Sequence, residues 1–390
     1  MSAVETGLDR LASKDSDAVR LIRDRRVGLL AHAASVDREL RSALSIVDTA
    51  GAEVCALFGP EHGVSGAAQD MVGVGSAGGA VPVYSLYGDS PEDLTPRSEW
   101  FEDLDAVVID LQDVGARYYT YVWTAALMYR AAAEAGVEVV VLDRPNPLGG
   151  VRVEGGPQRD GYLSFVGLYP ISVRHGLTMG ELLAWVGSRE RISRDALHVV
   201  PMRGWRRTMS FGETELPWVM PSPNMPTLDT AVVYPGGCLI EGTLLSEGRG
   251  TTRPFEVWGG PEVDPNALAS LEIHGARLRP LEFTPTFQKH AGAICRGVQV
   301  HVTDPWVFRP YEAYLRLLEA ALRSMPPERR WRTETYEFVS DRPAIDLLTG
   351  GPEFREAVDG GASLDDVWAA ECEGAARFDD ERRAFWLYEK

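Results

Sequence analysis

Short apolar runs alternate with segments of helical periodicity through the first half of the chain. Strand patterns occur at residues 26–32, 53–58, 81–85, 106–111, 137–142 and 197–200. Helical spacing recurs at 40–47, at about 121–135 and at 178–187, where Thr178 and Glu181 match a capping box. A strand, a helix and a strand within about 35 residues form a βαβ unit, whose sheet is parallel. The pattern predicts an α/β fold with a Rossmann-like, mostly parallel sheet.

The pattern changes beyond residue 200. Pro, Trp and Gly become frequent at 205–237, which predicts turns rather than regular structure. A strand at 298–302, a helix at 312–323 and an acidic, aromatic helix at about 363–377 follow. A chain of 390 residues exceeds the usual size of one hydrophobic core. We therefore predict a Rossmann-like catalytic domain at 1–232 and a smaller auxiliary α/β domain at 233–390.

Composition excludes several classes of partner. The chain carries 57 acidic and 39 basic side chains, a net charge of -18 that disfavours nucleic acid and anionic membranes as partners. The four cysteines are scattered without a C-x-x-C pair, and no His spacing typical of a metal site occurs, so neither a metal nor another cofactor is expected. The amino terminus lacks a signal-peptide pattern and no apolar run approaches a spanning helix. We expect a soluble, cytoplasmic protein whose partners are neither nucleic acids nor membranes.

One motif points to a different chemistry. Residues 73–78 match the dinucleotide fingerprint G-x-G-x-x-G. That motif binds pyrophosphate where a strand precedes it and a helix begins within it. Here a strand pattern follows instead, so we interpret the segment as a mobile glycine-rich loop beside the active site.

Polar residues follow three of the predicted strands. They are Gly-Pro-Glu-His-Gly at 59–63, the segment 110–121 and Asp-Arg-Pro-Asn-Pro at 143–147. In an open parallel sheet, ligands bind in the crevice outside the carboxyl ends of the strands. Glu61 and His62 can serve as general acid and partner, or equally form a salt bridge and cap a turn. Asp110, Gln112 and Asp113 offer a second acidic centre, or a cap for the following helix.

Further candidates are cations, aromatics and hydrogen-bonding groups. Arg117, Tyr119 and Tyr121 suit carboxylate recognition and sugar stacking, although tyrosines of this kind are also common in cores. Asp143, Arg144 and Asn146 bind a ligand or form an Asx turn, and Arg174 and His175 bind an anion or brace a loop. In the second half, the block 241–256 combines three glycines, hydroxyls and arginines, which lets backbone amides approach a ligand closely.

Six of these segments, in this order, resemble a known family. They are 59–63, 110–121, 143–147, 174–176, 221–227 and 241–255. Together they are similar to the exo-β-N-acetylmuramidases of the NamZ type, long catalogued as a domain of unknown function. The resemblance implies a Rossmann-like domain joined to a smaller α/β domain, with the active site between them. It also implies hydrolysis of the β-1,4 bond that releases N-acetylmuramic acid from the non-reducing end of peptidoglycan fragments.

The resemblance assigns roles to the candidates. Glu61 with His62 is the expected general acid, and Asp113 or Asp110 is expected to activate water or steady the sugar, unless the substrate's own acetamido group takes part. Arg117, Arg144, Arg174 and Arg249 are candidates for the lactyl carboxylate. The remaining expected substrate-binding residues are Gln112, Tyr119, Tyr121, Asp143, Asn146, His175, Asn224, Glu241, Ser246 and Thr251.

Two other classes of function stay open at this stage. A non-catalytic binder of wall-derived amino sugars would use the same scaffold, and it would show saturable binding without product. A nucleotide-dependent enzyme would be stabilised by NAD or ATP.

Overall fold

A computed structural model describes residues 3–64 and 81–390 of the chain. The predicted glycine-rich loop at 73–78 lies outside these residues. The fold is α/β, with a large parallel sheet, a small antiparallel sheet and helices around both.

The large sheet has six strands. In chain order they are β1 (Arg26–Ala31), β2 (Glu53–Gly59), β3 (Val83–Ser85), β4 (Ala106–Asp110), β5 (Glu138–Leu142) and β6 (Leu197–Val200). Their spatial order is β3-β2-β1-β4-β5-β6, and every neighbouring pair is parallel. This order is that of the dinucleotide-binding Rossmann fold, and it reverses between β1 and β4. The Rossmann-like sheet predicted from the strand patterns is confirmed.

The helices associated with this sheet are α1 (Gly7–Ala12), α2 (Ser16–Val19), α3 (Ala43–Thr49), α4 (Tyr121–Glu134) and α5 (Met179–Glu190). The Thr178 hydroxyl accepts from the Glu181 N–H at the start of α5, and the Glu181 carboxylate accepts from the Thr178 N–H. The predicted capping box is therefore present. No helix within 3–64 and 81–390 is long and apolar enough to cross a membrane.

The carboxy-terminal part contains the small sheet. Its helices are α6 (Leu228–Gly237), α7 (Pro265–Ala269), α8 (Pro310–Arg323), α9 (Ala344–Thr349), α10 (Glu353–Gly360) and α11 (Asp365–Arg382). Its strands are β7 (Val257–Gly260), β8 (Ala276–Phe283) and β9 (Cys295–Val302), which form an antiparallel sheet in the order β7-β9-β8. The chain then returns to the first sheet, where the Arg207 and Arg382 side chains both donate to the Gly150 and Gly176 carbonyls.

The prediction of turns throughout 205–237 was wrong at its end. Residues Leu228–Gly237 form α6, with Thr227 as its N-cap and Pro235 inside the helix. Proline removes one helical N–H, and two glycines follow it, so local propensity opposes a helix here. Packing of α6 in the core outweighs this, since Ala231, Val233 and Tyr234 are all buried.

Asp143 gives the stability of the fold a specific pH dependence. Its carboxylate lies at the amino end of α5 and accepts hydrogen bonds from Thr178, Gly180 N–H and Tyr388. Complete burial nevertheless raises the pKa of Asp143 to about 6. In the unfolded chain an aspartate titrates near pH ~3.9. The folded protein therefore binds a proton at Asp143 over a range in which the unfolded chain does not.

We expect this carboxyl to stabilise the fold fully below pH ~4 and to lose that contribution as the pH rises through about 6. At roughly 1.4 kcal/mol per pKa unit, the loss is about 3 kcal/mol of unfolding free energy. Urea unfolding of the wild type and of Asp143→Asn across this range measures it. The difference between the two free energies should change by that amount, and two parallel curves would contradict the assignment.

Candidate active site

A cleft of about 410 Å³ lies between the carboxyl end of the parallel sheet and the carboxy-terminal part of the chain. Its lining comes from the segments after β2 and β4, from the segment before α6, and from carboxy-terminal loops. The residues are Glu61, His62, Tyr118, Tyr119, Thr120, Tyr121, Val166, Ser222, Asn224, Met225, Tyr234, Glu241, Leu244, Glu247, Arg249, Phe255, Gln288, Lys289, Arg332, Glu334, Tyr336 and Glu337.

Glu61 lies on a rigid turn at the end of β2. A Cβ at Gly59 would come within 2.7 Å of the Val64 nitrogen, and His62 and Gly63 have φ angles of 71° and 74°. The chain therefore turns sharply here, and a non-glycine residue at positive φ is one sign of a functional site. The Glu61 side chain is 13% exposed, and its Oε2 accepts a hydrogen bond of 2.8 Å from the Thr120 hydroxyl.

The helix after β4 supports the same turn. Tyr121, the first residue of α4, donates its hydroxyl to the Glu61 backbone carbonyl at 3.2 Å and to the Pro221 carbonyl at 2.8 Å. The His62 Nε2 lies 3.9 Å from the Glu61 Oε1. One carboxylate is thus held in a fixed position at the cleft surface by groups on either side of it.

Aromatic rings form an apolar side of the cleft. The Tyr119 ring packs against Tyr121 at 4.7 Å and edge-on against Tyr234 at 5.9 Å, and Tyr234 packs edge-on against Phe255 at 4.9 Å. Burial raises the pKa of the Tyr119, Tyr121 and Tyr234 phenols, so all three stay neutral. Neutral aromatic faces beside a carboxylate suit a sugar ring, which has apolar C–H faces and polar edges.

The side of the cleft beside Phe255 carries a compact charge cluster, whose Arg249 lies 5.5 Å from the centre of the Phe255 ring. Arg249 donates to the Glu241 Oε1 at 2.7 Å and lies 3.4 Å from Glu247, which in turn lies 2.8 Å from the Lys289 ammonium. Burial alone would raise the pKa of Glu247, but the charges of Lys289 and Arg249 hold it below its ordinary value. The cluster therefore holds the Glu247 carboxylate in the ionised form.

A tight turn after α8 completes this side. Tyr336 and Val339 form an isolated bridge, and the residues between them, Glu337 and Phe338, have φ angles of 45° and 68°. Two successive non-glycine residues at positive φ are unfavourable, and turns of this type usually contain Asn and Gly. The turn brings Tyr336 into the cleft, where its hydroxyl donates to the Glu241 Oε2 at 2.8 Å.

The cleft brings together part of the predicted site. Of the six segments that carry the resemblance, 59–63, 110–121, 221–227 and 241–255 contribute residues to its lining. The predicted residues that line it are Glu61, His62, Tyr119, Tyr121, Asn224, Glu241 and Arg249.

Asp110 and Arg144 lie outside the cleft lining and bind each other. Asp110 is fully buried, and its oxygens accept from the Arg144 Nε at 2.5 Å and Nη2 at 2.8 Å. Arg144 also donates to the Val36 carbonyl. Gln112 donates to the Asp113 and Pro145 carbonyls, and its N–H donates to His32. These groups lie at the point where the strand order reverses, and the cavity that Gln112 and Arg144 line there has a volume of only about 20 Å³.

Asp113, His175 and Asn146 fix loops behind the cleft. Asp113 accepts from the Gly115 N–H, and one of its oxygens lies 3.2 Å from the His175 Nε2. Asn146 accepts from the Leu148 N–H and donates to the Leu177 carbonyl, which is the Asx turn weighed from the sequence. None of the three lines the cleft, and neither does Asp143 at the amino end of α5.

Arg117 and Arg174 are buried and hold other segments of the protein in place. The Arg117 guanidinium donates to the Gly156, Ile171 and Leu348 carbonyls and so connects the two parts of the chain. Arg174 binds Glu154 at 3.0 Å and donates to the Leu148 carbonyl. With these donors used inside the protein, neither is placed to bind a substrate carboxylate.

Ser246 and Thr251 stabilise the predicted glycine-rich block from within. Ser246 accepts from the Gly248 N–H, and the Thr251 hydroxyl donates to the Gly248 carbonyl. Gly248 itself has a φ of 78°, which this turn requires. These hydroxyls therefore shape the loop that carries Arg249 and do not line the cleft.

Several cleft residues were not among the predicted site residues. Thr120 and Glu247 fall within segments that the sequence singled out, and a general search for hydroxyls and acids there could have found them. Lys289 and Arg332 belong to irregular segments with no local pattern, so only the tertiary structure shows them. Among residues 3–64 and 81–390, no three His, Cys, Asp or Glu side chains are grouped as a metal site would need.

Comparison with known proteins identifies the family of the chain. Two family models match: exo-beta-N-acetylmuramidase NamZ, N-terminal, over residues 27–229, and exo-beta-N-acetylmuramidase NamZ, C-terminal, over residues 232–388. A curated relative from Bacillus subtilis (strain 168), named peptidoglycan beta-N-acetylmuramidase NamZ, is 40% identical over 393 residues. The alignment covers 99% of this chain and 91% of that protein.

Solved structures show the same fold. A DUF1343 family protein from Bacteroides fragilis NCTC 9343 superposes with a TM-score of 0.86 at 32% identity, covering 99% of each chain. A second one from the same organism gives a TM-score of 0.74 at 27% identity, covering 100% of each chain. The ordered motifs, the two family matches and the full-length relative agree, and the chain belongs to the exo-β-N-acetylmuramidase NamZ family.

Proposed function

We propose that this protein is an exo-acting β-N-acetylmuramidase that releases N-acetylmuramic acid from the non-reducing end of peptidoglycan fragments. The observation that carries the proposal is the carboxylate of Glu61, held by the Thr120 hydroxyl at the surface of an aromatic-lined cleft. The near-full-length similarity to a curated peptidoglycan β-N-acetylmuramidase supports the substrate class.

Glu61 is the proposed general acid. Its neighbour Thr120 is a neutral hydroxyl, whereas Glu241 and Glu247 are paired with Arg249 and Lys289. A carboxyl group that is to give up a proton must be protonated in the resting state, and ion pairing with a cation opposes this. Glu61 is thus better suited than the paired carboxylates to protonate the glycosidic oxygen.

A substrate-assisted reaction fits the remaining geometry. Glycosidases usually pair two carboxyl groups, but the sequence-predicted partners, Asp110 and Asp113, lie outside the cleft lining. In our proposal the acetamido oxygen attacks the anomeric carbon as the glycosidic C–O bond breaks, and the leaving oxygen takes the Glu61 proton. The resulting Glu61 carboxylate then accepts a proton from water as that water opens the cyclic intermediate. The anomeric configuration is therefore retained.

Hydrolysis of a chromogenic β-glycoside of N-acetylmuramic acid tests this function. We expect release of the chromophore, and proton NMR of the first product should show the β anomer. An initial α anomer would exclude substrate assistance. Saturable binding of the sugar in calorimetry with no product at all would instead favour the non-catalytic binder.

We propose further that the substrates are fragments of wall turnover and that the enzyme acts in the cytoplasm. Fragments supply more chain ends per mass than intact wall, and an exo-acting enzyme needs chain ends. All four cysteines are free thiols, as is usual in a reducing compartment. Fractionation of the source cells, followed by an activity assay, tests the location, and activity confined to an extracytoplasmic fraction would refute it.

The Thr120 hydroxyl is expected to orient Glu61 for proton transfer. Replacing Thr120 by valine keeps the shape and removes the 2.8 Å hydrogen bond to the Glu61 Oε2. A hydrogen bond to a neutral carboxyl group contributes about 0.5–1.5 kcal/mol, so we expect kcat to fall about 2-fold to 10-fold with little change in KM. Steady-state kinetics measures this, with Thr120→Ser as the matched control that retains the hydroxyl. An equal loss in both variants would argue against the orienting role.

A further inference from the structure

Muramic acid differs from glucosamine by one charged group. The lactyl ether on O3 carries a carboxylate, so an enzyme that selects muramic acid needs a cation facing the sugar. The sequence nominated Arg117, Arg144, Arg174 and Arg249 for this task. The first three are buried and bind groups of the protein itself. The remaining candidates for the lactyl carboxylate are the cations that line the cleft.

Three cations line the cleft within the described residues: Arg249, Lys289 and Arg332. Lys289 has three N–H donors, and these are directed to the Ile240 and Thr243 carbonyls, each at 3.0 Å, and to Glu247 at 2.8 Å. Its donor capacity is therefore already used. Lys289 fastens a loop and neutralises Glu247.

Arg249 is also committed to protein groups. It binds Glu241 at 2.7 Å and lies 3.4 Å from Glu247, and the side chains of these two carboxylates are 10% and 2% exposed. A substrate carboxylate there would compete with two nearly buried carboxylates. Displacing either one would leave a buried charge without its partner, which is costly.

Arg332 has weaker internal contacts. Among the residues that the structure describes, its ion-pair partner is Glu334, whose carboxylate lies 3.8 Å from the Arg332 Nε and whose side chain is 68% exposed. One terminal nitrogen of Arg332 donates to the Thr335 carbonyl at a long 3.4 Å. A solvated carboxylate at this distance contributes little, so a substrate carboxylate can replace it at small cost.

The position of Arg332 is nevertheless well defined. Its N–H donates to the Gly242 carbonyl at 3.1 Å, and the preceding Trp331 bridges Thr243. Its guanidinium lies 5.2 Å from the centre of the Tyr336 ring, and Tyr336 is held by Glu241. The backbone anchor and the ring below pre-orient a planar fork that matches a carboxylate.

We propose that Arg332 binds the lactyl carboxylate and so determines the preference for muramic acid over glucosamine. This assignment rests on the proposed function for its substrate. It deepens that function by moving the recognition from the arginines nominated by the sequence to a residue of the carboxy-terminal part. Arg332 is a specificity-determining residue and takes no part in proton transfer.

The test compares two free sugars, N-acetylmuramic acid and N-acetylglucosamine, by calorimetry with the full-length protein. The wild type should bind the acid more tightly, and Arg332→Gln should lower that preference by about 10-fold to 100-fold, as expected for a charge-assisted hydrogen bond. Arg332→Lys should recover part of the preference, because it keeps the charge and loses the fork. The matched control is Arg277→Gln, which changes an exposed arginine on β8 and should keep the wild-type preference.

Two results would overturn the assignment: a wild type that binds both sugars equally, or an Arg332→Gln variant that keeps the full preference. Turnover of the chromogenic muramic acid glycoside, measured in parallel, separates the two proposals. A preference that depends on Arg332 without any turnover would support the carboxylate site and refute the hydrolase. Turnover with a preference that is indifferent to Arg332 would do the reverse.

Discussion

Replacing Glu61 by glutamine is expected to lower kcat for an unactivated glycoside by about 10²-fold to 10⁴-fold, the usual contribution of a general acid. Glutamine keeps the size of the side chain and can still accept from the Thr120 hydroxyl, but it has no acidic proton to give. The rigid turn at His62 and Gly63 does not depend on the Glu61 carboxylate, so the fold should be unchanged. Steady-state kinetics with a natural muramic acid disaccharide, alongside thermal unfolding, measures both.

The leaving group provides a sharper readout of the same variant. A 2,4-dinitrophenolate departs without protonation, so loss of the acid should matter much less for that glycoside than for the disaccharide. The matched control is Glu102→Gln, which makes the same substitution at an exposed position and should keep wild-type rates. A loss that is equal for both leaving groups would show that Glu61 holds the substrate and does not protonate it. Full activity would remove Glu61 from the mechanism.

The mostly parallel sheet could be predicted because local and tertiary preferences agree in its strands. Residues 106–110 and 138–142 are apolar runs that become the central strands β4 and β5, almost completely buried. Thr178 and Glu181 carry their own helix start signal, and it holds in the fold. Where a strand is buried on both faces, or a helix is capped by its own residues, the sequence alone indicates the element.

Elements of the carboxy-terminal part were harder to predict. Strand β8, Ala276–Phe283, contains the exposed residues Arg277, Arg279 and Glu282 and has Pro280 within it, so it has neither a continuous apolar run nor a proline-free strand pattern. It is an edge strand, where proline and charge are tolerated. Hydrogen bonding to β9 makes this segment a regular strand, which its own residues do not indicate.

The candidate site was likewise predictable only in part from the sequence. Glu61 was found because it follows a strand, and the block 241–256 because its composition is unusual. The sequence could not show that the reversal point between β1 and β4 is already filled by Asp110, Arg144 and Gln112, since these groups pair with one another only in the folded chain. The cleft consequently lies over the end of β2, beside the expected crevice.

We expect the second large effect, on the free energy of unfolding, from the buried ion pair of Asp110 and Arg144. Asp110→Leu should lower the free energy of unfolding by about 3–5 kcal/mol, because it leaves the Arg144 guanidinium buried without its counter-charge. Both side chains are 8% exposed or less, and two hydrogen bonds of 2.5 and 2.8 Å join them. Denaturant unfolding measures the loss, and kcat of the folded fraction should stay within a few-fold of wild type.

The double variant Asp110→Leu, Arg144→Met distinguishes a structural pair from a catalytic aspartate. Replacing both charges by apolar groups of similar size removes the unpaired guanidinium, so most of the lost stability should return, as it does for other buried ion pairs. The variant should therefore fold even if Asp110→Leu alone does not. Because the cleft and Glu61 are untouched, the double variant should also hydrolyse muramic acid glycosides. A stable but inactive double variant would instead support the catalytic role that the position of Asp110 at the end of β4 first indicated.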